Sequence, residues 1–182
     1  MDTVLSCYNE MGNGMPQIAW GAKVSPAFKK KVIDICEKLD CNPDYLMAAI
    51  ALESGETFSP KTKNHFSGGT GLIQFMPSTA QGLGTSIADL EAMTAVEQLD
   101  WVFKYLQSQK GKFKTVADLY MTIVWPPAVG KPDDTPIFKK GSLQYEQAAG
   151  LDCDGDGTVT KAEAAVLVEA RLHKGLRPGY LG

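Results

Sequence analysis

Glu53 is the first residue in this chain whose type and position could do chemistry. It closes the run NPDYLMAAIALE at residues 42–53, in which Leu46, Ala49, Ile50 and Glu53 fall at i, i+3, i+4 and i+7. That spacing stacks the four side chains on one face of a helix. A carboxyl among apolar neighbours loses hydration, which disfavours its ionised form and raises its pKa, as a general acid working near neutral pH requires. The bland alternative is a glutamate at a helix end that simply reaches water.

A second group lies near the C-terminus, where residues 152–163 read DCDGDGTVTKAE. Asp152, Asp154 and Asp156 stand at positions 1, 3 and 5 of a twelve-residue EF-hand loop, with Gly157 at the sharp turn. Thr158 would offer its backbone carbonyl, Thr160 would act through water, and Glu163 would bind in bidentate mode. Hard oxygen donors at this spacing select a hard cation, and Ca2+ is the expected ion, in a structural role outside the chemical step. An acidic loop left empty or holding magnesium is the alternative. One loop at the end of a larger helical chain suits a clamp better than a paired sensor, so calcium is expected to order the C-terminal third and raise thermal stability.

Helices must position both groups. Asn42 and Pro43 are suited to starting the Glu53 helix, and Ser25 and Pro26 to starting the preceding one, whose apolar residues are Phe28, Val32, Ile35 and Leu39. Thr94 and Glu97 form a capping box ahead of Leu99, Val102, Phe103 and Leu106. Thr115 caps residues 116–124, with Leu119, Tyr120 and Ile123 on the apolar side, and residues 161–174 follow the acidic loop as its exiting helix. Strand-like alternation is nearly absent. Residues 125–141 contain four prolines and are expected to form an irregular loop or linker. The fold class is therefore mainly α.

The 182 residues suit one domain, or one domain with a small appendage. A net charge of -3 and pI near 5.4 give no electrostatic argument for nucleic acid or an anionic membrane surface. The triplet at residues 29–31 reads as the solvated face of a helix. Residues 1–10 lack the basic and apolar regions of an export signal, and no run approaches the about 20 apolar residues needed to span a bilayer. Cys7, Cys36, Cys41 and Cys153 form no CxxC pair and are expected as free thiols of a protein made in a reducing cytoplasm, with a bridge between Cys36 and Cys41 left open.

The segment ALESG at residues 51–55, joined through SGGTGLIQFMPSTA at residues 67–80, resembles the signature of the lytic transglycosylase and goose-type lysozyme superfamily. The resemblance covers about residues 43–84, and residues 118–134 are similar to the matching segment of phage-type and secretion-effector members. It implies a lysozyme-like helical domain over residues 1–141, with an EF-hand-like segment at residues 142–182 packed on it. Glu53 then matches the catalytic acid, and Ser54, Gln74, Phe75, Met76 and Tyr120 the substrate-binding positions. The family's third motif, AYNAG, is replaced here by LYMTIVWPP, so Tyr120 is read either as its tyrosine or as helix core.

The activity so implied is cleavage of the β-1,4 bond between N-acetylmuramic acid and N-acetylglucosamine in peptidoglycan. A hydrolytic glycosidase ordinarily needs a second carboxylate, and between Glu53 and Asp89 the only other acid is Glu56, on a turn that could place it almost anywhere. In the transglycosylase members one glutamate serves as acid and then as base, while the muramyl 6-hydroxyl attacks to give an anhydro end. Both outcomes remain open at this point. Glycan strands are the expected partner, with an immunity or inhibitor protein a further candidate, and a monomer is expected. Without an export signal, delivery as an endolysin, as a virion-associated lysin or as a type VI secretion effector would bring the protein to the cell wall. The competing classes are a non-catalytic, calcium-stabilised peptidoglycan-binding module and a calcium-responsive interaction protein.

Overall fold

Side-chain caps and prolines start the helices where the sequence places them. The computed structural model describes residues 14–65 and 67–182, and Cys7 and the stretch expected to lack an export signal lie outside them. Helix α1 (Pro26–Leu39) begins at Ser25, whose hydroxyl accepts from the Phe28 N–H at 3.2 Å, and it buries Phe28, Val32, Ile35, Cys36 and Leu39. Helix α2 (Pro43–Glu53) begins at Asn42, whose side chain accepts from the Asp44 N–H at 2.9 Å. Every residue from Leu46 to Ala51 is buried, so α2 is enclosed on all sides rather than along one stripe.

Helices α3 (Pro77–Leu83) and α4 (Ile87–Ala92) are short and precede α5 (Ala95–Leu106) and α6 (Val116–Val124). Both longer helices open with a capping box, formed by Thr94 with Glu97 in α5 and by Thr115 with Asp118 in α6. After α6 come strand β1 (Pro136–Lys139), helix α7 (Leu143–Ala148), strand β2 (Thr158–Thr160) and helix α8 (Lys161–Gly175). Eight α-helices and one two-stranded sheet among the described residues make the protein mainly helical. None of the described helices is long and apolar enough to cross a membrane.

The proline-rich segment is more regular than its composition suggests. Pro126 and Pro127 open a short 3-10 turn at Pro126–Ala128, Pro132 starts a turn closed by the Thr135 N–H, and Pro136 is the first residue of β1. Strand β1 pairs antiparallel with β2, Phe138 opposite Val159, and Trp125 meets Phe138 edge-on at a centroid distance of 5.4 Å. The expectation of an irregular loop over residues 125–141 is thus corrected at β1. The pairing also joins chain from either side of the expected boundary at residues 141 and 142.

The C-terminal helix completes the main core. Helix α8 packs against α2 and α6, contributing Ala165 and Val168 to the same buried cluster as Leu46, Ile50 and Leu119. A smaller cluster joins Ile137 and Val159 of the two-stranded sheet to Met121, Ala128, Tyr145 and Ala164. The chain end is tied down as well, because the Ile18 N–H donates to the Gly182 carbonyl at 2.9 Å.

Candidate functional site

Glu53 occupies the last turn of α2. The helix closes immediately after it, with the Gly55 N–H donating to the Leu52 carbonyl at 3.2 Å and the Glu56 N–H to the Ala51 carbonyl at 2.7 Å, the paired bonds of a Schellman ending. The carboxyl emerges from a helix buried all round, and it is itself half-buried. Burial, opposed in part by a hydrogen bond from the Tyr120 hydroxyl, pushes its pKa up to about 7. Burial, with the Glu53 charge, raises the Tyr105 hydroxyl and pushes the Tyr120 hydroxyl well above its ordinary range, so both remain protonated donors at neutral pH. Tyr120 therefore partners the acid. Tyr105 fixes the neighbouring helix by donating to the Thr122 carbonyl at 2.8 Å.

The five expected substrate-binding positions separate into different roles. Ser54 is fully buried and its hydroxyl accepts from the Phe58 N–H at 3.0 Å, so it closes the turn after α2 rather than facing a ligand. Phe75, 2% exposed, packs edge-on against Tyr105 at 6.3 Å and belongs to the core. The expectation that these two contact sugar is corrected, because neither side chain reaches the surface. Gln74 is half-buried with φ 55°, and its amide nitrogen donates to the carbonyls of Thr62 at 3.1 Å and Gly71 at 3.0 Å. It knits its own loop. Met76 is 40% exposed, and the half-buried Tyr120 is hydrogen-bonded to Glu53.

Gln98 holds this loop in place, a role the sequence reading missed. It is fully buried, with its oxygen accepting from the Leu72 N–H at 2.7 Å and its nitrogen donating to the carbonyls of Pro60 at 3.1 Å and Leu90 at 2.9 Å. Gly71 adopts φ 84°, and a Cβ there would overlap the Gln98 side-chain oxygen, so only glycine lets the loop approach. A signal existed in the sequence. Gln98, Val102 and Tyr105 fall at i, i+4 and i+7 of α5, a polar residue on an otherwise apolar face.

Glu56 is fixed, where its turn left its position undetermined in sequence. With φ 65°, it pairs through one oxygen with Arg171 Nε at 3.0 Å and through the other with Lys174 Nζ at 2.6 Å, both on α8. Lys174 also stands over the rings of Trp20 and Tyr180. The turn that follows Glu53 is therefore anchored to the C-terminal helix.

The acidic loop brings one carboxylate oxygen each of Asp152, Asp154 and Asp156 within 4.8 Å of one another, an arrangement that could hold a metal ion. Asp152 accepts from the N–H groups of Gly155 and Gly157, both at 2.9 Å, and from the Tyr145 hydroxyl at 2.6 Å. That tyrosine bond, with the two backbone donors, holds the Asp152 carboxyl below its usual range. Glu163 caps α8, accepting from the Thr160 N–H and hydroxyl, both at 2.8 Å, while its second oxygen accepts from the Cys153 N–H. Thr158 and Thr160 lie in β2, which pairs with β1 where a paired EF-hand would present a second loop. The donor set is all oxygen and the turn at Gly157 has φ 85°, so the residues present fit a hard divalent cation.

A separate cavity of about 700 Å³ opens on the other residues of the glycine-rich loop, lined among others by Lys63, His65, Gly69, Pro77, Gln81 and Ser86. Glu53, Gln74 and Tyr120 do not line it, so the setting of the acid rests on its own neighbours. No family model matches the chain, and no curated protein or solved structure shows significant similarity to it.

Proposed function

We propose that the protein has a lysozyme-like fold and cleaves the β-1,4 bond between N-acetylmuramic acid and N-acetylglucosamine of peptidoglycan, with Glu53 as the general acid. The observation that carries this reading is the Glu53 carboxyl itself, half-buried at the end of an enclosed helix, with a pKa near 7 and a phenol hydrogen-bonded to it. Protonated, it donates to the bridging oxygen as the bond breaks, and the resulting carboxylate faces the oxocarbenium-like charge. Tyr120 stabilises that carboxylate by donating to it.

A single carboxylate then returns as base. Glu56, the nearest acid in sequence, is engaged by Arg171 and Lys174 on α8 and is not free to serve as nucleophile. This favours attack by the muramyl 6-hydroxyl, whose proton Glu53 would accept, over hydrolysis by a second carboxylate. The acidic loop is proposed to bind Ca2+ as a structural ion, through Asp152, Asp154, Asp156, Glu163, the Thr158 carbonyl and a water on Thr160. Mass spectrometry of muropeptides released from purified peptidoglycan tests the reading. An anhydromuramyl end is expected, a reducing end would reassign the reaction to hydrolysis, and no released fragment would overturn it.

A further inference from the structure

Cys36 and Cys41 take no part in the chemistry proposed above, yet they occupy the two positions that a Schellman helix ending brings together. Helix α1 closes with Asp40 in the left-handed conformation, φ 55° and ψ 54°. The Cys41 N–H donates to the Cys36 carbonyl at 3.0 Å and the Asp40 N–H to the Glu37 carbonyl at 3.4 Å. In this paired pattern the side chain two residues past the helix packs on the side chain one turn back, a contact ordinarily made by apolar residues. Here both are thiols. Cys36 is buried and Cys41 half-buried, both are unbridged, and burial, with the neighbouring Cys41 thiol, pushes the Cys36 thiol up.

We propose that Cys36 and Cys41 form a reversible intramolecular disulfide when the protein meets an oxidising thiol–disulfide pool, stapling the corner between α1 and α2. The bond requires backbones close enough to carry the two sulfurs together, and the turn supplies that closeness through the bond from the Cys41 N–H to the Cys36 carbonyl. Cys41, the more accessible thiol, attacks one sulfur of oxidised glutathione and expels one glutathione thiolate. The Cys36 sulfur then attacks the Cys41 sulfur and expels the second. Two protein thiols are oxidised, one glutathione disulfide is reduced, and the two protons end on the glutathione thiols. In a reduced glutathione pool the pair stays open. The staple lies directly before Asn42, the cap of α2, and beside Asp44, whose carboxylate accepts from the Ala19 N–H at 2.8 Å. It would stiffen the start of the helix that ends at Glu53.

The test is made on the full chain, incubated in oxidised and in reduced glutathione buffers, alkylated under denaturing conditions, digested and mapped by mass spectrometry. The expected result is a linked peptide joining Cys36 to Cys41 in the oxidised sample alone, lost on adding dithiothreitol. The melting temperature of the oxidised form should rise by about 3 °C or more, given the modest entropy of so short a closed loop. Cys41→Ala should abolish both the linked peptide and the shift. Alkylation of both cysteines in the oxidised sample, or pairing of either with Cys7 or Cys153, would overturn the proposal. Because the readout is a covalent bond, its failure and the failure of the glycan-cleaving reading are distinguishable.

Discussion

The Lys161 ammonium lies 2.6 Å from Asp118 Oδ1, an ion pair closed to solvent that joins the first turn of α8 to the first turn of α6, two residues before Tyr120. Burial alone would raise the Asp118 carboxyl, but Lys161 and the Gly130 N–H outweigh it and hold the pKa below the usual value. The two partners differ in what they keep when the other is removed. Asp118 would still accept from the N–H groups of Gly130, Lys114 and Thr115, whereas Lys161 would retain only the Lys131 carbonyl. Asp118→Ala should therefore destabilise by about 3–5 kcal/mol, the effect of stranding a buried charge, and Lys161→Met by roughly half that. Urea denaturation of the two variants checks the asymmetry, and equal losses would contradict it.

Glu53 itself should weaken the fold at neutral pH. Its folded pKa of about 7 lies above the about 4.3 of an unfolded glutamate. The folded state thus holds the proton more tightly, and stability falls as pH rises from about 4 to 7, then levels. Glu53→Gln removes the penalty, so the variant should gain up to about 3 kcal/mol over the parent at pH 8 and little at pH 4. Melting curves at the two pH values measure the difference. A variant less stable than the parent at pH 8 would show that the carboxyl is not held in a desolvating site.

Tyr120 should set the alkaline limb of the activity. The acid must be protonated, so kcat/KM should fall tenfold per pH unit above about 7. The Tyr120 hydrogen bond lowers that pKa, and Tyr120→Phe should move the limb to higher pH while reducing the rate. An unmoved or downward-shifted limb would place Tyr120 in the helix core without a role at the acid.

Calcium at about 100 times its Kd should stabilise the protein by about 2.7 kcal/mol relative to chelator, through linkage to the folded loop. Asp154→Asn with Asp156→Asn should remove the shift, since the amides keep the turn bonds to Asp156 and Thr158 but lose the charge. Magnesium should give a smaller shift, because the loop's mix of carboxylates, carbonyl and water suits the larger ion. Superimposable melting curves in calcium and chelator would remove the metal from the account.

Local signals made much of this architecture legible. The caps at Ser25, Asn42, Thr94 and Thr115 each start a helix where they stand, because capping depends on a few consecutive residues. Contacts distant in sequence were not readable. Glu56 meets α8 across 118 residues at Lys174 and Asp118 meets Lys161 across 43, and nothing in the local spacing of either acid names its partner. Strand β1 was hidden for the same reason, since its partner β2 lies inside the acidic loop. At the candidate site, the helix that ends at Glu53 was legible from its Asn42 cap and Pro43, but its enclosure on every side was not, and the burial of Ser54 and Phe75 came from a turn and an edge-on ring contact that period does not encode.

The central claim is that the proton on Glu53 breaks the glycan strand, and comparing initial rates of soluble muropeptide release by the parent protein and by Glu53→Gln tests it most directly. The amide keeps the shape of the side chain but has no proton to give at neutral pH. The account predicts release at least about 1,000-fold slower from a variant that is folded and at least as stable as its parent. Release by that folded variant at a tenth of the parent rate or faster would contradict it.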